Sequence, residues 1–239
     1  MSRDALMSPD DDGSPRAIRR MFNAIARRYD RANHLMSLGL DRGWRRKAVE
    51  ALAPQGGGRY LDVGCGTGDV ALEILRRCPG ASVVGIDAAL GMLKVAAAKL
   101  EGAGSAALQA GDATALAFRD GAFEGVISAF CIRNVADRAM AFAEMRRVLV
   151  PGGRVVILEL TLPTSPLLRF GHWLYNRTVV PVVGRLLTRA KSPFRYLVNS
   201  VRDFPRAEAV LSIMAEAGLR QARHLPLTGG TATLFVGEK

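Results

Sequence analysis

The sequence predicts an α/β fold: a seven-stranded, mostly parallel, doubly wound sheet with N-terminal helices ahead of it and a helical cap inserted late. Three observations carry this expectation. Between Arg59 and Leu160, short β-branched apolar runs alternate with helical patterns, as in strands joined by crossover helices. The first run ends in three alternate glycines, Gly64, Gly66 and Gly68, and the second ends in an acid, Asp87. Two more strand patterns, Leu219 to Leu225 and Thr231 to Val236, close the chain as a hairpin added to five parallel strands.

Taken in order, Met1 to Pro15 is polar, carries Asp10-Asp11-Asp12-Gly13, and reads as a disordered tail. Residues 16–239 read as one domain, in which 16–55 form an N-terminal helical lid over the cofactor or else pack under the sheet. Ile18, Phe22, Ile25 and Tyr29 recur at i, i+4, i+7 and i+11, which predicts an amphipathic helix with arginines on its wet side. Asn33 to Leu40 is looser, and Arg42 to Leu52 returns to helix. Tyr60 to Val63 is the first strand, and its glycine turn enters a helix at Asp69. Glycines suit that turn because it needs positive φ and lets a ligand reach the backbone.

Ser82 to Ile86, Ala106 to Ala110, Phe123 to Phe130 and Arg154 to Leu160 supply strands two to five, the last after a Pro151-Gly152-Gly153 turn. Helices Ala89 to Leu100 and Ala139 to Leu149 lie between them. From Thr161 the pattern changes. Pro163, Pro166, Pro181 and Pro193 punctuate a run of apolar, aromatic and arginine residues, read as a helical cap over 163–200. A helix from Phe204 to Gly218 follows, with Pro205 in its first turn and Gly218 at its C-terminal cap.

Composition narrows the function classes. The 239 residues suit one sizeable core. Cys65, Cys78 and Cys131 are scattered, so neither a disulfide framework nor a metal site is expected, and a reducing cytoplasm fits. No signal peptide is apparent, and no apolar run approaches the roughly 20 residues a membrane span needs. The net charge of +11 is concentrated outside the central segment: residues 16–47 hold ten Arg/Lys against Asp30 and Asp41, and residues 161–239 hold eleven against four acids. Nucleic acid, an anionic lipid surface, or simply a well-solvated basic surface would each account for it.

The glycine turn and Asp87 point to a nucleoside cofactor. An acid at the tip of the second strand can accept hydrogen bonds from both ribose hydroxyls of an adenosine. A dinucleotide site would want a glycine where Asp69 stands, and a carboxylate at that helix mouth repels a pyrophosphate while suiting a cationic ligand. No Gly-Lys-Ser/Thr follows, so the phosphate-loop pattern is absent. What remains, D-x-G-x-G-x-G plus a strand-end acid, resembles motif I of the class I S-adenosylmethionine (SAM) methyltransferases. Asp112, just past strand three, is placed either to read the adenine amine or to cap Thr114 and Ala115 locally.

Longer matches resemble one family, the ubiquinone/menaquinone biosynthesis C-methyltransferases. They are MFNAIARRYDRANHLMSLGLDRGWRR before the sheet, DVGCGTGD and GID at the cofactor, GDATALAF, FCIRNVAD, RVLVPGGRVVILEL, and the late RYLVNSVRDFP. The resemblance implies SAM contacts from Thr67, Asp87, Asp112 and Ala113, with Asp62 and Gly64 supporting the methionine end; Gly66 is the cofactor-binding candidate that the turn itself gives, at the approach to its backbone. It implies SAM-dependent C-methylation of a polyprenylated quinol: demethylmenaquinol by preference, with 2-polyprenyl-6-methoxy-1,4-benzoquinol as a second ring. Two departures stand out, Ala129 where relatives carry serine, with Ser128 one place early, and Cys131 where they often carry glycine.

An aromatic carbon becomes nucleophilic when a neighbouring hydroxyl is deprotonated, so the site must stabilise a phenolate and align carbon with methyl. Arg133 and Asn134, at the lip of strand four, are the catalytic candidates. The family's proposed general-base role for that arginine sits poorly with a guanidinium pKa above about 12, and activation of a water or stabilisation of the phenolate is easier. His34 and His172 are outlying candidates for the proton acceptor. Tyr29, Asp30, Trp173 and Tyr196 are the substrate-binding candidates, and Trp173, Tyr175, Val179 to Val183 and Phe194 could line a groove for an isoprenoid tail. The interleaved arginines would rest on an anionic membrane, which makes the expected location cytoplasmic and peripheral to its inner face. A homodimer is left open. The alternatives are an RNA methyltransferase, disfavoured because no Asn/Asp-Pro-Pro-Phe/Tyr or Pro-Cys motif follows strand four, and a non-catalytic SAM-binding subunit of a quinone-synthesis complex.

Overall fold

The computed structural model describes residues 14–171, 173–175, 177–178 and 192–239, the last group in side-chain detail from Tyr196. The first thirteen residues of the expected tail, His172, Val179 to Val183 and the Phe194 side chain lie outside the described residues. Two helices, α1 (Pro15–Met36) and α2 (Leu40–Leu52), precede the sheet. Then come β1 (Arg59–Val63), α3 (Asp69–Arg77), β2 (Ser82–Asp87), α4 (Leu90–Leu100), β3 (Ser105–Ala110), β4 (Phe123–Ala129), α5 (Arg138–Val148) and β5 (Leu149–Leu160). After a helical stretch that begins at residue 166, α6 (Ser192–Arg202), α7 (Ala207–Glu216), β6 (Arg220–Leu227) and β7 (Ala232–Glu238) complete the fold.

The seven strands form one sheet in the order β3-β2-β1-β4-β5-β7-β6. The first five pair in parallel, and β7 pairs antiparallel with both β5 and β6. The order reverses between β1 and β4, which opens a crevice at the ends of those strands. Side chains of a strand alternate between faces. In β5, Val155 and Ile157 therefore join one core layer with Phe123, Phe142 and Met214, while Val156 and Leu158 join the other with Trp44, Ile74 and Leu234.

Most boundaries agree with the expectation to within two residues, and the larger or more telling differences have local reasons. Helix α1 starts at Pro15, where Ser14 Oγ accepts from Ala17 N at 3.3 Å, and it runs on to Met36. Nothing between Tyr29 and Met36 breaks a helix, and the chain turns just past Met36, at Leu38 and Gly39, whose φ angles are +53° and +80°. Pro151-Gly152-Gly153 lies inside β5, which starts at Leu149 opposite Phe123 and absorbs the extra residues in a register shift against β4. Helix α7 begins at Ala207 with Arg206 as its N-cap, so Pro205 stands before the helix; Gly218, at φ +84°, follows the C-cap Ala217.

Candidate active site

The glycine turn is held from above by the end of β2. Asp87 Oδ2 accepts from Gly66 N at 2.9 Å and Oδ1 accepts from Ala89 N at 2.7 Å, so one carboxylate ties the turn to the start of α4. Burial raises the Asp87 pKa, and the two backbone donors pull against that rise. The three glycines all have positive φ, for different neighbours. A Cβ on Gly64 would stand 2.2 Å from Cys131 Sγ, so that position is glycine for packing. A Cβ on Gly66 would meet nothing within 4 Å, leaving open space over the backbone where a ligand can approach.

Asp62, in the strand that leads into the turn, supplies the clearest test of what the site holds. It is 1 % exposed, its Oδ2 has no hydrogen-bond partner, and burial pushes its pKa up to about 7. A buried carboxyl oxygen without a partner is costly unless a donor or cation completes it. The amino group and sulfonium of SAM are such groups, and Asp87 retains acceptor capacity for ribose hydroxyls. Asp112 is exposed and its Oδ1 accepts both Thr114 N at 2.9 Å and Thr114 Oγ1 at 2.8 Å. The local cap is thus formed on Oδ1, beside the buried Ala113. The residues present fit SAM.

Thr67 and Asp30 prove to be partners. Thr67 Oγ1 donates to Asp30 Oδ1, and Lys99 Nζ reaches Asp30 Oδ2 at 2.7 Å, Thr67 Oγ1 at 3.2 Å and Asp69 Oδ1 at 2.5 Å. This cluster fastens α1 to the turn and to α4. It places the Asp30 carboxylate on the cofactor loop rather than in a substrate cavity. It also answers the charge of Asp69, which Arg45 approaches at 3.7 Å from the other side, so Asp69 is engaged within the protein instead of waiting for a cationic ligand.

Arg133 lies in a single 3-10 turn, Ile132–Asn134, directly after β4. The preceding Phe130 is buried at φ +59°, a conformation that non-glycine residues adopt at a cost of about 1–3 kcal/mol. Its ring is fixed edge-on to Trp44 and lies beneath the Arg45 guanidinium, 5.3 Å away. The turn that follows aims Arg133 inward. Glu159, wholly buried at the end of β5, accepts Arg133 Nη1 on Oε2 at 2.9 Å and Arg133 N on Oε1 at 3.1 Å. Burial alone would lower the guanidinium pKa, but Glu159, with Tyr29 and Tyr196, raises it above the ordinary value. Arg133 is therefore a fixed cation, and its Nε is buried without a partner.

Tyr29 and Arg133 both line a cavity of about 390 Å³, with Trp44, Phe130, Leu197 and Val201 among its apolar walls. Burial also raises the Tyr29 pKa, so its phenol stays protonated. Tyr196 Oη donates to Asn134 Oδ1 at 2.8 Å and lines a smaller adjoining cavity with Tyr29 and Arg133. Of the expected substrate residues, Tyr29 and Tyr196 thus gather at Arg133, whereas Trp173 does not line the cavity; it is 51 % exposed and stacks on Phe170. His34 Nδ1 lies 3.1 Å from Asp41 Oδ1.

The two sequence departures resolve structurally. Ser128 Oγ donates to Val63 O at 2.6 Å inside the sheet, so it braces β4 on β1. Cys131 fills the hollow above Gly64, and burial pushes its thiol up to about 12, which keeps it protonated. Sequence reasoning missed Glu159 and Lys99. An acid closing the otherwise apolar run Val155-Val156-Ile157-Leu158 was the available signal for Glu159; Lys99 gave none.

A mostly parallel sheet carrying this glycine turn, the strand-end Asp87 and a buried Asp62 with one unpartnered oxygen marks a class I SAM-dependent methyltransferase. Solved structures agree on the fold: a SAM-dependent methyltransferase of Thermotoga maritima superposes with a TM-score of 0.63 at 19% identity, covering 91% of this chain and 98% of that one. A Haemonchus contortus phosphoethanolamine N-methyltransferase bound to SAM gives a TM-score of 0.62 at 17% identity, over 82% of this chain and 52% of its own. More particularly, residues 11–239 match the ubiE/COQ5 methyltransferase family, and the chain belongs to that family. Relatives include the ubiquinone/menaquinone biosynthesis C-methyltransferase UbiE of Geotalea uraniireducens, 44% identical over 226 residues (93% of this chain, 96% of the relative). The demethylmenaquinone methyltransferases of Roseiflexus castenholzii and Thermus thermophilus are 42% and 43% identical, covering 97% and 92% of this chain and 97% and 100% of their own lengths.

Proposed function

We propose that this enzyme methylates a ring carbon of a polyprenylated quinol, with demethylmenaquinol as the main substrate and 2-polyprenyl-6-methoxy-1,4-benzoquinol as a second ring it could accept. The observation that carries the proposal is the charged, Glu159-held Arg133 in the wall of an apolar cavity of about 390 Å³. That volume suits a small aromatic ring with the start of an apolar tail. The names of the Roseiflexus and Thermus relatives favour the naphthoquinol ring.

Bound SAM supplies an electrophilic methyl group on a positively charged sulfur. The protein's own part is to hold the ring and stabilise the charge that makes its carbon nucleophilic. Arg133, raised in pKa and pinned by Glu159, cannot accept a proton; it stabilises the phenolate, so that solvent can take the hydroxyl proton. Tyr29 offers a neutral hydroxyl beside it, and Asn134, fixed by Tyr196, stands ready at the same lip. Trp44 and Phe130 give the ring flat apolar walls that exclude water.

Incubation of the purified protein with methyl-labelled SAM and, separately, demethylmenaquinol, the demethylated ubiquinone precursor, or total RNA tests the reading. Label on a ring carbon of the naphthoquinol supports it; label in RNA, or none in either quinol, overturns it.

A further inference from the structure

The exposed large apolar side chains of this protein are unevenly distributed. Leu167, Leu168, Phe170, Trp173 and Leu174 are exposed on the helical stretch that begins at residue 166, and Leu167 reaches 78 %. Leu35, Leu38 and Leu40 are exposed at the junction of α1 and α2, with Leu38 at 70 %. Tyr175 Oη donates to Met36 O at 3.0 Å, which links the two segments. Leu38, Leu40, Leu167 and Leu168 also line the 390 Å³ cavity, so the same side chains form its wall and its outer lip.

The exposed charge in these two segments has one sign. Arg31, Arg42, Arg169 and Arg177 are exposed in residues 31–42 and 162–178, whose single acid in the described sequence, Asp41, is buried against Arg45. Arg177 sits over the Trp173 ring, 5.5 Å from its centroid, a pairing of aromatic and cation suited to a headgroup boundary. A contiguous apolar surface fringed by cations, without a helix long enough to cross a bilayer among the described residues, matches a face that lies in the interface.

We infer that the Leu38/Leu167 lip is a bilayer-docking face, seated in an anionic membrane so that a lipid-borne substrate enters the cavity sideways from the acyl layer. This rests on the reading of the cavity as the quinol site, and it adds the surface and the route. Continuity between lip and cavity favours the bilayer over a second copy of the chain, because a copy seated there would cover the entrance.

Flotation with vesicles of phosphatidylcholine alone, or with one third phosphatidylglycerol, tests this on the full-length protein. The wild type should float with the anionic vesicles and lose much of that binding in high salt. The Phe170→Glu/Trp173→Glu double variant should bind at least tenfold less, while Leu225→Glu, on exposed β6, should bind as wild type. SAM affinity and turnover of a short-tailed, detergent-free soluble quinol should be unchanged in the double variant. Undiminished flotation of the double variant, absent binding by the wild type, or a wild-type dimer that the double substitution dissociates would each overturn the inference. Absence of short-tail turnover by the wild type would instead discard the substrate reading.

Discussion

Glu159 grips Arg133 twice, through the guanidinium at 2.9 Å and through the backbone amide at 3.1 Å, so a single buried carboxylate sets both where the turn after β4 sits and which way its side chain faces. Glu159→Gln keeps the shape but removes the charge that holds Arg133. Turnover is expected to fall about 10²-fold, the scale for loss of one preorganised stabilising group, with SAM affinity close to wild type. Glu159→Asp should recover part of it. Glu159→Ala should also destabilise the fold by about 3–5 kcal/mol by leaving a buried guanidinium unpaired, read by denaturant unfolding.

Asp62 makes the cofactor-free protein sensitive to pH. Its pKa rises from the usual carboxylate value to about 7 in the folded state because burial disfavours its charge. The folded protein therefore holds a proton that the unfolded chain releases, and the contribution to stability, full below about pH 4, is lost as pH rises through 7. Binding of a cationic cofactor should draw Asp62 into its ionised form. SAM affinity is then expected to increase between pH 6 and 8 with proton release, seen as a buffer-dependent enthalpy in calorimetry. Asp62→Asn should flatten both profiles.

Asp87→Ala removes acceptors for Gly66 N and Ala89 N as well as the ribose acceptor. Hydrogen bonds to charged groups contribute about 1.5–3 kcal/mol each, so SAM should bind at least roughly tenfold more weakly. Wild-type affinity in calorimetry would remove Asp87 from the cofactor site.

Gly64→Ala should destabilise the protein by about 1–3 kcal/mol from backbone strain at φ +69°, with a further share from collision with Cys131. Adding Cys131→Gly should return the steric share and leave the strain. A double-mutant cycle in thermal unfolding measures the coupling, and an additive result would show that the two residues do not meet.

The parts of this site that were legible in the sequence are the local ones. Gly64, Gly66 and Asp87 announce themselves because a strand, a turn and a second strand tip fix their chemistry within some twenty-five residues. Arg133 and Tyr29 were legible through the short motifs that carry the family resemblance, while spacing showed only that Tyr29 lies on a helix. What escaped depends on distance along the chain: Lys99 on α4 reaches back to Thr67 and Asp69, and Asp30 joins them only because α1 folds over the glycine turn. Glu159 lay hidden because β5 reads as a buried apolar strand, and the acid's partner is twenty-six residues earlier. Trp173 looked like a groove residue by type, yet its ring stacks on Phe170 at the surface. The end of α1 lies beyond the expected one for a simpler reason, since amphipathic spacing fades after Tyr29 while nothing in the backbone breaks the helix before Met36.

The most direct measurement is single-turnover methyl transfer from labelled SAM to demethylmenaquinol by the wild type and by Arg133→Ala, with SAM affinity measured on both. The expected result is ring-carbon methylation by the wild type and its loss, by at least about 10²-fold, in Arg133→Ala at unchanged SAM affinity. Undiminished transfer by Arg133→Ala would contradict the assignment of phenolate stabilisation to the arginine that Glu159 holds.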